Sequence, residues 1–428
     1  MTGMGHSLRR ALWLILAIVA AFSMWRYVTH VWGAGQSTQF SDLYARWWGA
    51  HELLLHRRNP YTPAIAHEIQ TVIYGGPVQP SHPGDPTELA GGFAYPIYVA
   101  FLMWPTVHMA FPVAQNTFLC LFVVLTLASL LLWLYALQWR LPLPELITLV
   151  VFTFGSFPVL QGLKLQNLSL LVAFLLAAAM ASLAADHFVV AGLLLAGATI
   201  KPQFVILLIP WLAVWAMADW QRRQRLAWSF SAAVLGLVLG GEVLQPGWIS
   251  DFLTVVRAYR QYTYGHSLLD VWFTPRFGPV LTVVLILAVL ALCWRCRSYP
   301  AHSSRFFAAC SLLLATTLVV IPTLEPHAQL LLLPAVLLLL RCGSRIWQSN
   351  KIARLLLTAV WVLLGWGWVA AFGMMLTTIW LPANSLLRFW VLPLYTSPLL
   401  PFAILVILGY LLTKETGSPP TRGMILES

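Results

Sequence analysis

Apolar runs near the length of a bilayer crossing recur along almost the whole chain. They fall near 11–32, 94–111, 113–137, 145–162, 168–185, 189–217, 226–244, 278–294, 305–322, 328–341, 354–378 and 390–412. A helix needs about 20 apolar residues to cross a hydrocarbon core. Only 9% of the 428 residues are charged and 60% are apolar, against about 25% charged in an ordinary soluble domain. Such a chain lacks the polar surface to cover a globule in water. The runs predict an all-α polytopic membrane protein of about 12 transmembrane helices, one integral membrane domain over residues 1–428. Three places strain the count. The run at 328–341 is short, the run at 189–217 is long and broken by Lys201-Pro202, and Pro112 is nearly all that parts 94–111 from 113–137.

A net charge of +11 would suggest nucleic acid as a partner of a soluble protein. Here the basic residues sit in short loops, where they set orientation instead, so no nucleic acid is expected. Arg9 and Arg10 place the N-terminus in the cytoplasm. Alternating the runs brings Arg222, Arg223 and Arg225, then Arg295 and Arg297, then Arg341, Arg345, Lys351 and Arg354, and finally Lys414 to the same face. Both termini are therefore cytoplasmic. Arg140 is the exception and falls outside. The first run follows Arg9-Arg10, is too long for a signal-peptide core, and reads as an uncleaved helix.

The external loops are then about 33–95, 245–277 and 379–389, with a short one from Pro322 to Gln329. In the first, Leu43, Tyr44, Trp47, Trp48, Leu54 and Leu55 recur at helical period, with Asp42, Arg46, Glu52 and Arg57 on the other face. That pattern predicts an amphipathic helix lying in the membrane interface. The loop continues through Asn59-Pro60-Tyr61 into a Gly/Pro-rich stretch from Gly75 to Gly92. The five cysteines form no disulfide framework, and Cys293-Trp-Arg-Cys296 lacks a second ligand pair.

Four groups of residues are candidates for chemistry. Asp42 opens the interfacial helix, where a helix N-terminus favours the ionised carboxylate; it is either a helix cap or a base for a hydroxyl proton. His327 follows Glu325-Pro326 in a polar turn on the same face. Lys201 interrupts an apolar run, which marks it as functional unless it snorkels to an interface; it suits an anionic phosphate. The turn Gln161 to Asn167 and the external segment Trp248 to Arg276, with Arg257, Tyr259, Arg260, Tyr262, Tyr264, His266, Asp270 and Arg276, are either polar connections or sugar- and phosphate-binding surfaces. No HExxH motif occurs and the outer acidic residues are scattered, so no metal is expected.

The arrangement resembles the GT-C superfamily of membrane glycosyltransferases, and more closely glycosyltransferase family 87, over about residues 10 to 340. The resemblance rests on Phe40-Ser41-Asp42-Leu43-Tyr44, Asn59-Pro60-Tyr61, Tyr95-Pro96, Leu165-Gln166-Asn167, Ile200-Lys201-Pro202 and His327. The family often has Gly-Gln-x-Asn where this chain has Leu165-Gln166-Asn167. The resemblance implies a GT-C-like bundle in a bacterial-type plasma membrane, with the active site on the periplasmic or external face. It implies a sugar donor on polyprenyl phosphate, mannose by default, and a glycan or glycolipid acceptor. Asp42 would be the general base, with inversion, and His327 a second catalytic residue. Lys201, Gln166, Asn167, Tyr61, Tyr95, Arg257 and Arg260 would bind substrate. Neither a metal nor another cofactor is implied.

Two other readings compete. A transporter or flippase should show paired broken helices in two halves, whereas this chain has one clear break, at Lys201-Pro202, and no apparent long repeat. A lipid-linked polysaccharide ligase or polymerase shares the donor chemistry, and composition does not separate it.

Overall fold

The computed structural model describes residues 2–31, 41–76, 91–262, 266–322, 325–382 and 396–416. Among these residues every regular element is a helix. A chain solvated by lipid must satisfy its backbone polar groups within each segment, and helices do this.

Among the described residues six segments are long and apolar enough to cross a membrane, or seven if one bent pair counts as a span. They are Ser7–Thr29 within α1 (Thr2–Arg26) and its π-helical extension, α5 (Phe111–Ala136), α12 (Trp220–Leu244), α14 (Leu268–Trp294), Pro326–Ser349, and α17 (Lys351–Thr377). The segment Pro326–Ser349 joins a 3-10 helix (Pro326–Leu332) to α16 (Leu333–Ser349). The bent pair is α6 (Leu143–Phe154) with α7 (Phe157–Leu165), turned by 57°. Pro158 in the first turn of α7 suits a helix start, since proline lacks the N–H that a first turn leaves unpaired. The carbonyl of Gly155 at the bend accepts from Trp368 Nε1 at 2.8 Å, so the break leaves it paired. Shorter apolar helices complete the bundle: α8 (Ser169–Ala184), α9 (Phe188–Ala198), α11 (Leu208–Met217), α15 (Ser304–Val320) and α18 (Leu399–Thr416).

Three expectations change. The run at 94–111 forms no long helix. It holds only α4 (Val99–Met103) and a 3-10 turn (Trp104–Thr106), because Pro96, Pro105 and Pro112 punctuate it. The run at 189–217 is three helices, with Lys201 between α9 and the short α10 (Pro202–Val205), which leads to α11. The amphipathic helix exists as α2 (Asp42–His56), but protein rather than lipid covers much of it. Leu43, Tyr44, Trp47, Leu53 and even Glu52 are buried, and Trp47 Nε1 donates to the carbonyl of Thr106 at 3.0 Å. The reason is the 94–111 segment, which packs beneath α2 with Tyr95, Ile97, Val99 and Met103 buried. A second helix of the same loop, α3 (Pro63–Tyr74), begins on a proline. Residues 77–90 of the Gly/Pro-rich stretch lie outside the described residues.

Polar contacts mark two ends of the bundle. At one end Arg10 pairs with Glu145 at 3.6 Å and Arg222 with Asp186 at 2.7 Å. There too Arg223 donates to the carbonyl of Arg297 at 3.1 Å, and Arg341 donates to that of Leu137. Helix α5 starts at the other end, where Phe111 meets Tyr44 edge-on with ring centroids 4.8 Å apart. It finishes just before Leu137, so Arg140 lies at the basic end. Its exceptional placement came from counting 94–111 as a crossing.

Candidate active site

Four interruptions of the helices meet at the end opposite the basic clusters. Ser41 precedes α2 in extended conformation, yet its hydroxyl makes no capping bond. Asp42 does not close back onto its own helix; its Oδ2 accepts from Asn167 Nδ2 at 2.5 Å. Asn167 sits in the tight turn between α7 and α8, where Gln166 has a left-handed backbone, φ 45°. That turn aims the Asn167 amide in two directions. Its nitrogen holds Asp42, while its Oδ1 accepts from Ser169 N at 2.9 Å, Ser169 Oγ at 2.7 Å and Lys201 Nζ at 2.9 Å.

Lys201 is 3% exposed. Its ammonium donates to Asn167 Oδ1, to Ser169 Oγ at 2.8 Å and to Glu325 Oε2 at 2.9 Å. Three partners match its three donors, so a phosphate at this nitrogen would have to displace one of them. Glu325 Oε2 also lies 3.1 Å from His327 Nε2. Burial opposes the charge on Glu325, but Lys201 and the hydrogen bond from His327 outweigh it and hold the carboxyl well below the usual range. His327 is 6% exposed, and its Nδ1 is a buried atom without a hydrogen-bond partner among the described residues. A chain of contacts thus runs from Asp42 through Asn167, Lys201 and Glu325 to His327.

Arg46 and Tyr95 flank this chain. The Arg46 guanidinium stands 4.5 Å from the Tyr95 ring centroid, donates to the carbonyl of Asp42, and so adds a cation close to the acid. Lys201 Nζ lies 5.9 Å from the same ring. Arg46 escaped the sequence reading, which set it on the polar face of α2. The available signal was its spacing, one helical turn after Asp42. Ser169 escaped as well; it follows Asn167 by two residues.

The remaining candidates fall elsewhere. Gln166 turns away, donating to the carbonyls of Leu163 at 2.7 Å and Lys164 at 2.9 Å and accepting from Gln115 at 3.0 Å. It closes the C-terminus of α7. Tyr61 is buried and donates from its hydroxyl to the carbonyl of Tyr95 at 2.7 Å. Asn59 supports it, accepting from the Tyr61 N–H at 3.0 Å and donating to Asp251 Oδ2 at 2.8 Å. The Asn-Pro-Tyr motif therefore ties α13 (Trp248–Tyr262) to the segment at Tyr95-Pro96 that leads into α4. Arg257 is exposed on α13, and the side chain of Arg260 lies outside the described residues. Asp270 forms a capping box with Ser267 at the start of α14, and Arg276 lies within that helix.

A membrane-embedded helical bundle with a carboxylate, an amide, a buried ion pair and a histidine converging at one end defines a membrane protein with an enzyme-like polar centre. The family model of glycosyltransferase family 87 matches residues 93–322. The chain belongs to that family and is a membrane glycosyltransferase. No curated protein matches the chain, and no solved structure matches it.

Proposed function

We propose that this glycosyltransferase moves a sugar, mannose in the first instance, from polyprenyl phosphate to a hydroxyl of a glycan or glycolipid. The observation that carries this reading is the placement of Asp42. Its carboxylate is held by Asn167 rather than spent on capping α2. The amide donor fixes the orientation of the carboxyl and leaves its second oxygen free of Asn167. Asp42 takes the acceptor's proton as that oxygen attacks the anomeric carbon. The bond from that carbon to the phosphate oxygen breaks on the opposite face, and polyprenyl phosphate leaves with the electron pair, giving inversion.

The leaving group is already a phosphate, so it needs positive charge more than a proton. His327 supplies it: protonated on both nitrogens, the ring donates from Nε2 to Glu325 and from Nδ1 to a phosphate oxygen. Arg46 adds a second cation. Lys201 is a positioning residue that fixes Asn167 and Glu325.

Topology supports an external site. Among the described residues six segments, or seven with the bent pair, are long and apolar enough to cross; counting the shorter apolar helices α8, α9, α10 with α11, α15 and α18 as crossings too gives twelve and returns the chain to its starting side. The basic end reads as cytoplasmic, with both termini there and Asp42 on the periplasmic or external side of a bacterial-type plasma membrane. The whole chain acts as one membrane domain, with residues 33–95 as a loop that carries the base.

The test is release of polyprenyl phosphate from polyprenyl-phosphate mannose in the presence of a lipid-glycan extract. Wild type turns over, and Asp42→Asn with an unchanged melting temperature loses about a hundredfold or more of the rate. Equal turnover by the two proteins would reduce Asp42 to a structural residue.

A further inference from the structure

The last turn of α2 carries a second polar cluster, which the sugar transfer does not use. Glu52 is 4% exposed. Its Oε1 lies 3.2 Å from His56 Nδ1 and 3.9 Å from His51 Nε2. One ligand atom from each of these three residues falls within 4.8 Å of the others. On its far side Glu52 accepts from Arg58 at 2.7 Å. Arg58 is shared, however, because it also donates to Glu68 at 2.5 and 3.3 Å. Two carboxylates and one guanidinium leave one surplus negative charge when both imidazoles are neutral.

The second observation is the tautomer of His51. Its Nδ1 lies 2.8 Å from the carbonyl of Val107. A carbonyl only accepts, so Nδ1 carries the hydrogen. In the neutral ring Nε2 then points a lone pair toward Glu52 Oε1, and two acceptors face each other. Metal-ligating imidazoles almost always donate their other ring N–H to a carboxylate, backbone carbonyl or water, as His51 does here.

We propose that His51, Glu52 and His56 form a three-ligand site for a divalent transition metal of the zinc class, with a fourth position open to water. Two imidazoles and one carboxylate are a known zinc ligand set, with bonds of about 2.0–2.2 Å. Ligand atoms on one tetrahedral ion with such bonds are about 3.3–3.6 Å apart, so closing the site takes a rotation of the exposed His56 and a shift of a few tenths of an ångström between His51 and Glu52. Through His51 and Val107 the ion fastens the end of α2 to the segment beneath it. The competing arrangement is a proton on His51 Nε2, which would make a simple ion pair with Glu52.

The test uses full-length protein in detergent, with any histidine tag removed and metals stripped by chelator. Zinc is titrated calorimetrically, and cobalt is added separately to read its visible absorption. Wild type should bind one equivalent, with cobalt bands of low coordination number. His56→Ala and His51→Ala should each bind at least tenfold more weakly. The His56 side chain is about half exposed, so His56→Ala should keep the melting temperature of the stripped protein and decides the matter if His51→Ala fails to fold. Absence of stoichiometric binding by wild type, or binding that His56→Ala leaves unchanged, would overturn the proposal. Neither result bears on Asp42.

Discussion

Asn167 holds Asp42 through its amide nitrogen at 2.5 Å and receives Lys201 on its amide oxygen at 2.9 Å. One side chain therefore orients the acid and separates it from the buried ammonium. Replacing Asn167 by Ala should lower kcat about tenfold or more with little change in KM, since the loss is one of orientation. Asn167→Asp should do something different. It removes the amide donor and sets a second carboxylate beside Asp42, so the two repel and the rate should fall further than in Asn167→Ala. Rates of polyprenyl phosphate release check both variants, and equal rates would show that only the amide's orientation of Asp42 matters.

Lys201 and Glu325 form a pair in which each charge depends on the other, with side-chain exposures of 3% and 19%. Lys201→Met removes the cation and strands the carboxylate, which should cost about 3–5 kcal/mol of stability. The double variant Lys201→Met/Glu325→Gln should recover much of that loss, because neither charge is left unpaired. Thermal unfolding in detergent reads the difference. A double variant no more stable than Lys201→Met would show that the pair is not coupled.

The apolar runs disclosed a helical membrane protein, and a polar residue breaking a run disclosed Lys201. The resemblance brought Asp42, Asn167 and His327 together as expectations, and the structure links them through Lys201 and Glu325. What the sequence concealed follows from what apolar periodicity measures. It reports burial without saying whether lipid or protein does the burying, so α2 read as an interfacial helix. It also counts a Pro-punctuated segment such as 94–111 as a crossing, which displaced Arg140. Gln166 read as a binding residue because its role depends on one backbone angle, φ 45°, which leaves its amide serving α7. Arg46 stayed hidden because a charge one turn from another on a helix usually faces water.

Glu325 also predicts how stability depends on pH. Its folded pKa lies below the ordinary value of 4.5, so the folded state binds its proton more weakly than the unfolded chain does. The stabilisation is complete above that ordinary value and fades as pH falls below it toward the depressed folded value. Melting temperatures should accordingly drop on acidification below about pH 4.5, and Glu325→Gln should flatten that part of the curve. An identical acid limb in the variant would assign the dependence to other carboxylates. Glu68 is one, since Arg58 and Trp48 overcome its desolvation and lower its pKa.

Gly192 tests the packing that carries Lys201 to the site. It lies on α9 against α12, and a Cβ there would collide with Ser229 Oγ and come 2.8 Å from the carbonyl oxygen of Leu226. The hydroxyl can rotate, but the carbonyl belongs to the backbone of α12 and cannot give way alone. Small residues at such contacts let two membrane helices approach closely. Gly192→Ala should therefore push α9 off α12 and cost about 1–3 kcal/mol. Because α9 ends three residues before Lys201, the displacement should also loosen the ammonium from Asn167, so turnover should fall along with melting temperature. Adding Ser229→Ala removes only the hydroxyl clash and should restore little of either. Full recovery in that double variant would locate the constraint in the Ser229 side chain rather than in the approach of the two backbones.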